Sequence, residues 1–421
     1  MDQGNTTFIL IAAALVLLMT PGLAFFYGGL VKAKSVISMM MLSFGAIGLI
    51  GVLWVLYGYA ITFANNVGID GLIGIDTGAI GLTSLLEVPE GAAFPPLAFA
   101  AFQATFAIIT VALISGAIAD RAKFGAWMVF AGIWATVVYF PVASWVFNFT
   151  LGEDGSFVDG GWITYGLQET FGVGAIDFAG GTAVHINAGA AALALALVLG
   201  KRIGFAKGAH VPHNPPFVLL GAGLLWFGWF GFNAGSELAA DGVAALAFIN
   251  TIAAPAAALL AWLVVEKIKD GKPTSVGAAS GAVAGLVAIT PACASLTPGW
   301  AIVLGLISGA VCALAVDLKF KFGFDDSLDV VGIHLVGGLV GTLYLGFFAN
   351  GTGLIYSGEF TQLIVQAIAA IAVMVYSFTL AFIIGLAIEK TMGFRVKEED
   401  ELAGIDPIVH GEEGYVLEAT R

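Results

Sequence analysis

Long, unbroken runs of apolar residues alternate along the chain with short polar connectors. Such a run reads as a helix crossing a bilayer, because about 20 residues rising about 1.5 Å each match a hydrocarbon core of roughly 30 Å. Strands of a membrane barrel would instead alternate apolar and polar positions. The pattern predicts eleven spans, at approximately 7–30, 36–64, 97–119, 125–147, 177–199, 217–235, 243–265, 277–296, 299–317, 329–349 and 362–390. No soluble domain interrupts them. The expected fold is an all-α membrane protein, with a transmembrane domain over 1–390 and a cytoplasmic tail over 391–421.

The connectors fix the topology. With eleven alternating spans, all 16 Lys and Arg residues fall on one face. They are Lys32, Lys34, Arg121, Lys123, Lys201, Arg202, Lys207, Lys267, Lys269, Lys272, Lys319, Lys321, Lys390, Arg395, Lys397 and Arg421. The opposite face carries acids such as Asp70, Glu87, Glu153, Asp154, Asp159 and Glu359. Basic loops stay in the cytoplasm, so the N-terminus is expected outside and the C-terminus inside, in the cell inner (plasma) membrane. A miscounted span would scatter the basic residues over both faces.

Composition agrees. The chain is 59 % hydrophobic and 11 % charged, against about 25 % charged in soluble domains. The net charge of −13 is unevenly spread: acids dominate the outer loops, where they solvate the loops or mildly concentrate cations. The two cysteines, Cys293 and Cys312, lie in or beside apolar stretches and offer neither a disulfide framework nor a metal knuckle. Met1–Thr7 holds no Lys or Arg, so no secretory signal peptide is expected. The tail, with its acidic run Glu398–Glu401, is too polar to build a core and is expected to be disordered or docked on the inner face.

Two segments resemble each other: Asp177–His185 opens the fifth span and Asp326–His334 opens the tenth. Each sets a His eight residues after an acid, and five spans separate them, so the two helices enter from opposite faces. That is the signature of an inverted repeat of two five-helix halves, completed here by a final long helix, with a transport site near the midplane. Eight helical residues rise about 12 Å, which brings both imidazoles near the middle of the bilayer. The other histidines, His210, His213 and His410, belong to cytoplasmic segments. One intramembrane His is readily explained by an interhelical hydrogen bond. Two at matched positions point to a pathway, where neutral rings share one proton and two charged rings would repel. Asp177 and Asp326 stand where a carboxylate caps a helix start, and Asp177 is also a candidate for favouring a cation at the outer entrance.

Aromatic residues gather toward the outer ends of two spans. Phe102 and Phe106 are four apart and share a face. The sixth span runs Trp226-Phe-Gly-Trp229-Phe-Gly-Phe232-Asn-Ala-Gly-Ser236, placing rings, close-packing glycines and a hydroxyl together. Such rings serve packing or an interfacial belt, and they also attract cations by about 0.5–2 kcal/mol each. Moving an ion into a low-dielectric medium costs on the order of 20 kcal/mol, so a few rings recruit a cation but cannot carry it through. Losing a proton at the mouth removes most of that cost.

These residues resemble the ammonium transporter family (Amt, Mep, Rh), and its bacterial Amt branch in particular. The matching stretches are Pro21–Lys32, Phe102–Phe106, Asp177–Asn187, Trp229–Ser236 and Asp325–His334. The resemblance implies a homotrimer of eleven-helix protomers, each with its own pore for ammonium or ammonia. It matches Phe106 and Phe232 to a stacked gate, Trp229 to the pore wall and His185 and His334 to the conducting pair. It also matches Ser236 to the outer ammonium site and Asp177 to the acid below it, with Phe102 beside them. The family often has a tryptophan at the outer site where this chain has Phe147; either Phe147 replaces it, or Trp145 or Trp162 swings in. The tail resembles the family's regulatory C-terminus, which implies a PII-family signalling protein as partner. No cofactor, metal, enzymatic activity or nucleic-acid partner is expected. The competing readings are an electroneutral channel for ammonia or carbon dioxide, and an ammonium sensor signalling through its tail.

Overall fold

The computed structural model describes residues 1–63, 67–69, 71–151, 157–205 and 211–415. Asp70, Glu153, Asp154, Lys207, His210 and Arg421 lie outside the described residues. In chain order the apolar helices are α1 (Gln3–Leu30), α2 (Ala33–Thr62), α3 (Pro96–Ile118), α4 (Phe124–Phe147), α5 (Gly181–Leu199), α6 (Pro215–Glu237), α7 (Gly242–Lys269), the shorter α8 (Ser275–Ile289), α9 (Pro298–Phe322), α10 (Val331–Phe348) and α11 (Thr361–Thr391). Among the described residues, ten of these are long and apolar enough to cross a membrane, so this is a multi-pass membrane protein.

The exception is α8, whose 15 residues rise only about 22 Å. The apolar run predicts one helix over 277–296, but Thr290 Oγ1 bonds back to Leu286 O and Pro291 cannot extend the ladder. Buried turns carry the chain onward, and Ser295 O accepts a hydrogen bond from Asn350 N beyond the end of α10.

Local chemistry marks the helix starts. Asp2, Asn214, Asp241 and Thr274 each accept a hydrogen bond from a free N–H in the first turn of α1, α6, α7 and α8. Proline opens α3, α6 and α9, where its missing N–H costs nothing. The most extensive helix pair is α1 with α6.

The basic connectors meet at one end of the bundle. Arg202, between α5 and α6, binds Asp325 through Nε and Nη2, both at 2.9 Å, and reaches Asp120 between α3 and α4. Arg121 donates to the backbone of Asp325 and to Ser327. Lys319 pairs with Asp329, and Lys269 with Asp317. Burial alone would push the Asp325 carboxyl up, but the Arg202 guanidinium, aided by Arg121, holds it below the usual carboxylate range.

The tail docks on this end. Arg395 pairs with Glu401 at 2.6 Å and donates to Leu199 O, while Glu401 also accepts from Ile203 N. Asp406 accepts from Ile37 N and Ser38 N at the start of α2, and Tyr415 OH meets His213 Nε2 at 2.9 Å. Docking on the connectors, one of the two expectations for the tail, satisfies polar groups at three separate chain entries. At the other end, short antiparallel ribbons join Gly68–Ile69 to Ile73–Gly74 and Phe149–Leu151 to Phe157–Gly160.

Candidate functional site

A cavity of about 370 Å³ opens at the end of the bundle away from the basic connectors. Its lining includes Phe106, Phe147, Asp177, Ser236 and Glu237, together with Gln103, Thr164 and Leu238. Phe147 stands edge-on to Phe106, with centroids 6.2 Å apart. Ser236 Oγ donates to Phe232 O at 2.8 Å, which leaves its lone pairs free to accept a hydrogen bond.

Trp145 and Trp162 do not line this cavity. The Trp145 indole donates to Leu72 O and packs against Trp162 and Tyr376. Of the three aromatic residues considered for the outer position, Phe147 is the one that faces it. Phe102 also lies outside the lining: its fully buried ring packs behind Phe106, with centroids 4.8 Å apart, under the backbone of Gly235.

Asp177 lines the cavity, but its carboxylate is heavily committed. Oδ1 accepts from Gly180 N and Gly181 N, and Oδ2 accepts from Thr182 N, Thr182 Oγ1 and Ala183 N. It satisfies the free N–H groups that open α5, as an acid at that position should. The turn is held from behind by Gln366 of α11, which no feature singled out in the sequence. Its Oε1 accepts from Ile176 N at 2.7 Å and its Nε2 donates to Ile176 O at 2.8 Å.

Beneath the cavity, Phe106 and Phe232 stack face to face, 4.1 Å between centroids and 12° from parallel. Next comes His185, with centroids 6.1 Å from Phe232 and 5.5 Å from Trp229, whose indole is fixed by Thr290 Oγ1 at 2.8 Å. His334 follows, Nδ1 to Nδ1 at 3.2 Å from His185. Both imidazoles are buried, and His185 Nε2 has no partner. A buried ring nitrogen left unpaired is costly unless something visits it.

Matched local geometry aims the two rings. Each sits in a widened, π-helical turn, at Gly181–Ile186 and Val331–Leu335. In α5, Asn187 N bonds to Thr182 O; in α10, Val336 N bonds to Val331 O. Each bond runs from two residues after the His to three residues before it. Asp326 caps α10 through Val331 N, as Asp177 caps α5. The helices cross in opposite senses: Gly189 abuts Leu335, while Gly338 abuts Gly181 O and the His185 Cβ. A side chain at either glycine would force the crossing apart and separate the histidines. Past His334, toward the basic end, a second cavity of about 330 Å³ is lined by Leu30, Arg202, Lys319, Ser327 and Asp329 among others.

Residues 7–415 match the family model described as Ammonium Transporter Family. The chain is 54 % identical to an ammonium transporter of Mycobacterium tuberculosis, covering 98 % of this chain and 90 % of that one. It is 44 % identical to an ammonium transporter of Bacillus subtilis, covering 99 % of each. Among solved structures, Saccharomyces cerevisiae Mep2 superposes with a TM-score of 0.83 at 34 % identity, over 94 % of this chain and 91 % of that one. A protein titled Sensor Amt Protein superposes with a TM-score of 0.87 at 29 % identity, over 97 % and 98 %. By sequence and by fold, the chain belongs to the ammonium transporter family.

Proposed function

We propose that this protein recruits ammonium at the outer cavity, takes a proton from it near the stacked phenylalanines, and passes ammonia along the His185–His334 pair. The observation that carries the reading is the unpaired, buried Nε2 of His185 beside an imidazole already engaged through Nδ1. Sharing one proton, the pair presents a neutral donor and a neutral acceptor to a small polar solute. Phe106, Phe147 and Ser236 give a cation ring faces and a hydroxyl acceptor, each worth little beside the roughly 20 kcal/mol cost of burying a bare ion. A cation without a removable proton is therefore attracted but not conducted.

In this reading the chain passes the membrane eleven times, with α8 and its following turns together making one pass. The cavity end faces outside and the basic end faces the cytoplasm of a plasma membrane. Residues 1–390 form the transport domain and 391–421 a regulatory tail. Assembly as a homotrimer and a PII-family partner for the tail rest on the resemblance. The test is the current evoked by ammonium in liposomes holding the purified protein. Current with ammonium, and none with potassium or sodium, supports the reading. Uptake without current favours an electroneutral gas channel. No uptake at all, with a response lost on removing 391–421, favours a sensor.

A further inference from the structure

The geometry points to Glu237 as a second, charged determinant of cation recruitment in the outer cavity, acting beside the rings and Ser236. The inference rests on the proposed recruitment role of that cavity. Two carboxylates reach its lining, and they differ in how much of their charge is already engaged. Asp177 accepts five hydrogen bonds from the start of α5 and is 8 % exposed, so little of its charge is available to a visitor. Glu237 is only half-buried. Among the described residues no Lys or Arg pairs with it. The charged group that acts on it is another carboxylate, Asp241, one helical turn further on. Asp241 is held in place by Val243 N and Ala244 N, which share its Oδ1.

The backbone delivers Glu237 to this position. α6 tightens into a 3₁₀ turn over Ala234–Glu237 and ends at Leu238, whose φ of 60° is left-handed. A non-glycine residue pays about 1–2 kcal/mol for that conformation, and the strain falls at the rim of the cavity. The reversal sets Ser236, Glu237 and Leu238 on one wall, facing Phe106 and Phe147. An ammonium ion between them meets ring faces, a hydroxyl lone pair and an unpaired negative charge. An uncompensated carboxylate also suits a site that has a phenylalanine where an indole, the strongest of the cation-binding rings, would otherwise stand.

The test is methylammonium uptake by the full-length protein at about 0.01 M and about 1 M salt, with osmolarity matched by a neutral solute. A charge about 5 Å from the ion in a water-like medium changes affinity roughly fourfold. Glu237→Gln is expected to raise KM by about that factor at low salt, with the maximal rate unchanged and the difference gone at high salt. Glu237→Asp, which keeps the charge, is expected to stay close to wild type. The wild-type KM should itself rise with salt, which needs no variant to fold. A wild-type KM flat in salt overturns the inference. So does a Glu237→Gln KM equal to wild type while Ser236→Ala and Phe147→Ala raise theirs; Glu237 would then be a turn residue and the cavity would still recruit. If none of the three variants moves KM, the recruitment role of the cavity fails, and the inference fails with it.

Discussion

His185 and His334 face each other through Nδ1 atoms 3.2 Å apart, with rings 24° from parallel. At that distance one Nδ1 must donate and the other accept, so the pair holds one proton between them and leaves both Nε2 atoms for other partners. Only a net neutral pair keeps this contact, since two imidazolium rings would set two N–H groups against each other.

That contact makes the double replacement His185→Leu, His334→Leu the sharpest test of the path. Each leucine fills the volume but removes a donor and an acceptor. Ammonium-evoked current in proteoliposomes is expected to fall by about tenfold or more, as one lost hydrogen bond of about 1.4 kcal/mol suffices for that factor. Wild-type current in a correctly folded double variant would count against the histidines as the route.

Phe232→Ala removes one face of the 4.1 Å stack with Phe106. Truncating a fully buried Phe costs about 3–5 kcal/mol, so the variant should melt at a lower temperature. It should also admit water between the cavity and His185, which weakens the barrier to ions. Potassium current, absent in the wild type, is the expected reading.

Gln366→Leu removes the clamp on Ile176 and leaves a buried N–H and C=O without partners. Each costs about 1–3 kcal/mol. Because Ile176 adjoins Asp177, the maximal rate of methylammonium uptake should drop along with the thermal midpoint. A fall in stability with transport per folded molecule unchanged would limit Gln366 to a structural role.

The Asp325–Arg202 pair sets an acid limit on the inner end. Asp325 titrates below the usual carboxylate value of about 4, so its contribution to stability is present above that value. It is lost as pH falls through the lower folded-state value. Asp325→Asn should cost about 3–5 kcal/mol at neutral pH, because Arg202 is left buried with its main partner neutral. In the variant, the acid-dependent loss of thermal stability should shrink.

Much of this molecule is legible in the order of its residues. Continuous apolar runs locate the helices, because a bilayer demands length and internally bonded backbone. The basic connectors, segregated by counting, do meet: Arg121, Arg202 and Asp325 join three of them. The spacing of eight from acid to His marks two residues 149 positions apart that prove to be in contact. Where legibility fails, the signal is packing. Phe102 and Phe106 share a face, but α3 is buried on nearly all sides, so periodicity cannot say which ring meets the cavity. Residue type cannot reveal that Trp145 turns toward Leu72 while Phe147 faces inward. Gln362 and Gln366 could have been found, as two amides one turn apart in an otherwise apolar span. The early end of α8 is marked only by Thr290-Pro291.

The widened turns beneath the two histidines have a consequence for how this chain tolerates change in length. A π turn holds one residue more than the α turn it replaces, and that surplus residue sets the bearing of everything after it. Excising one residue from Gly181–Ile186 would restore ordinary winding and swing the rest of α5 by about 100°. The small residues that meet α10 would rotate away with it. Substitutions in these turns can be absorbed one side chain at a time, whereas a single deletion would rephase half the bundle.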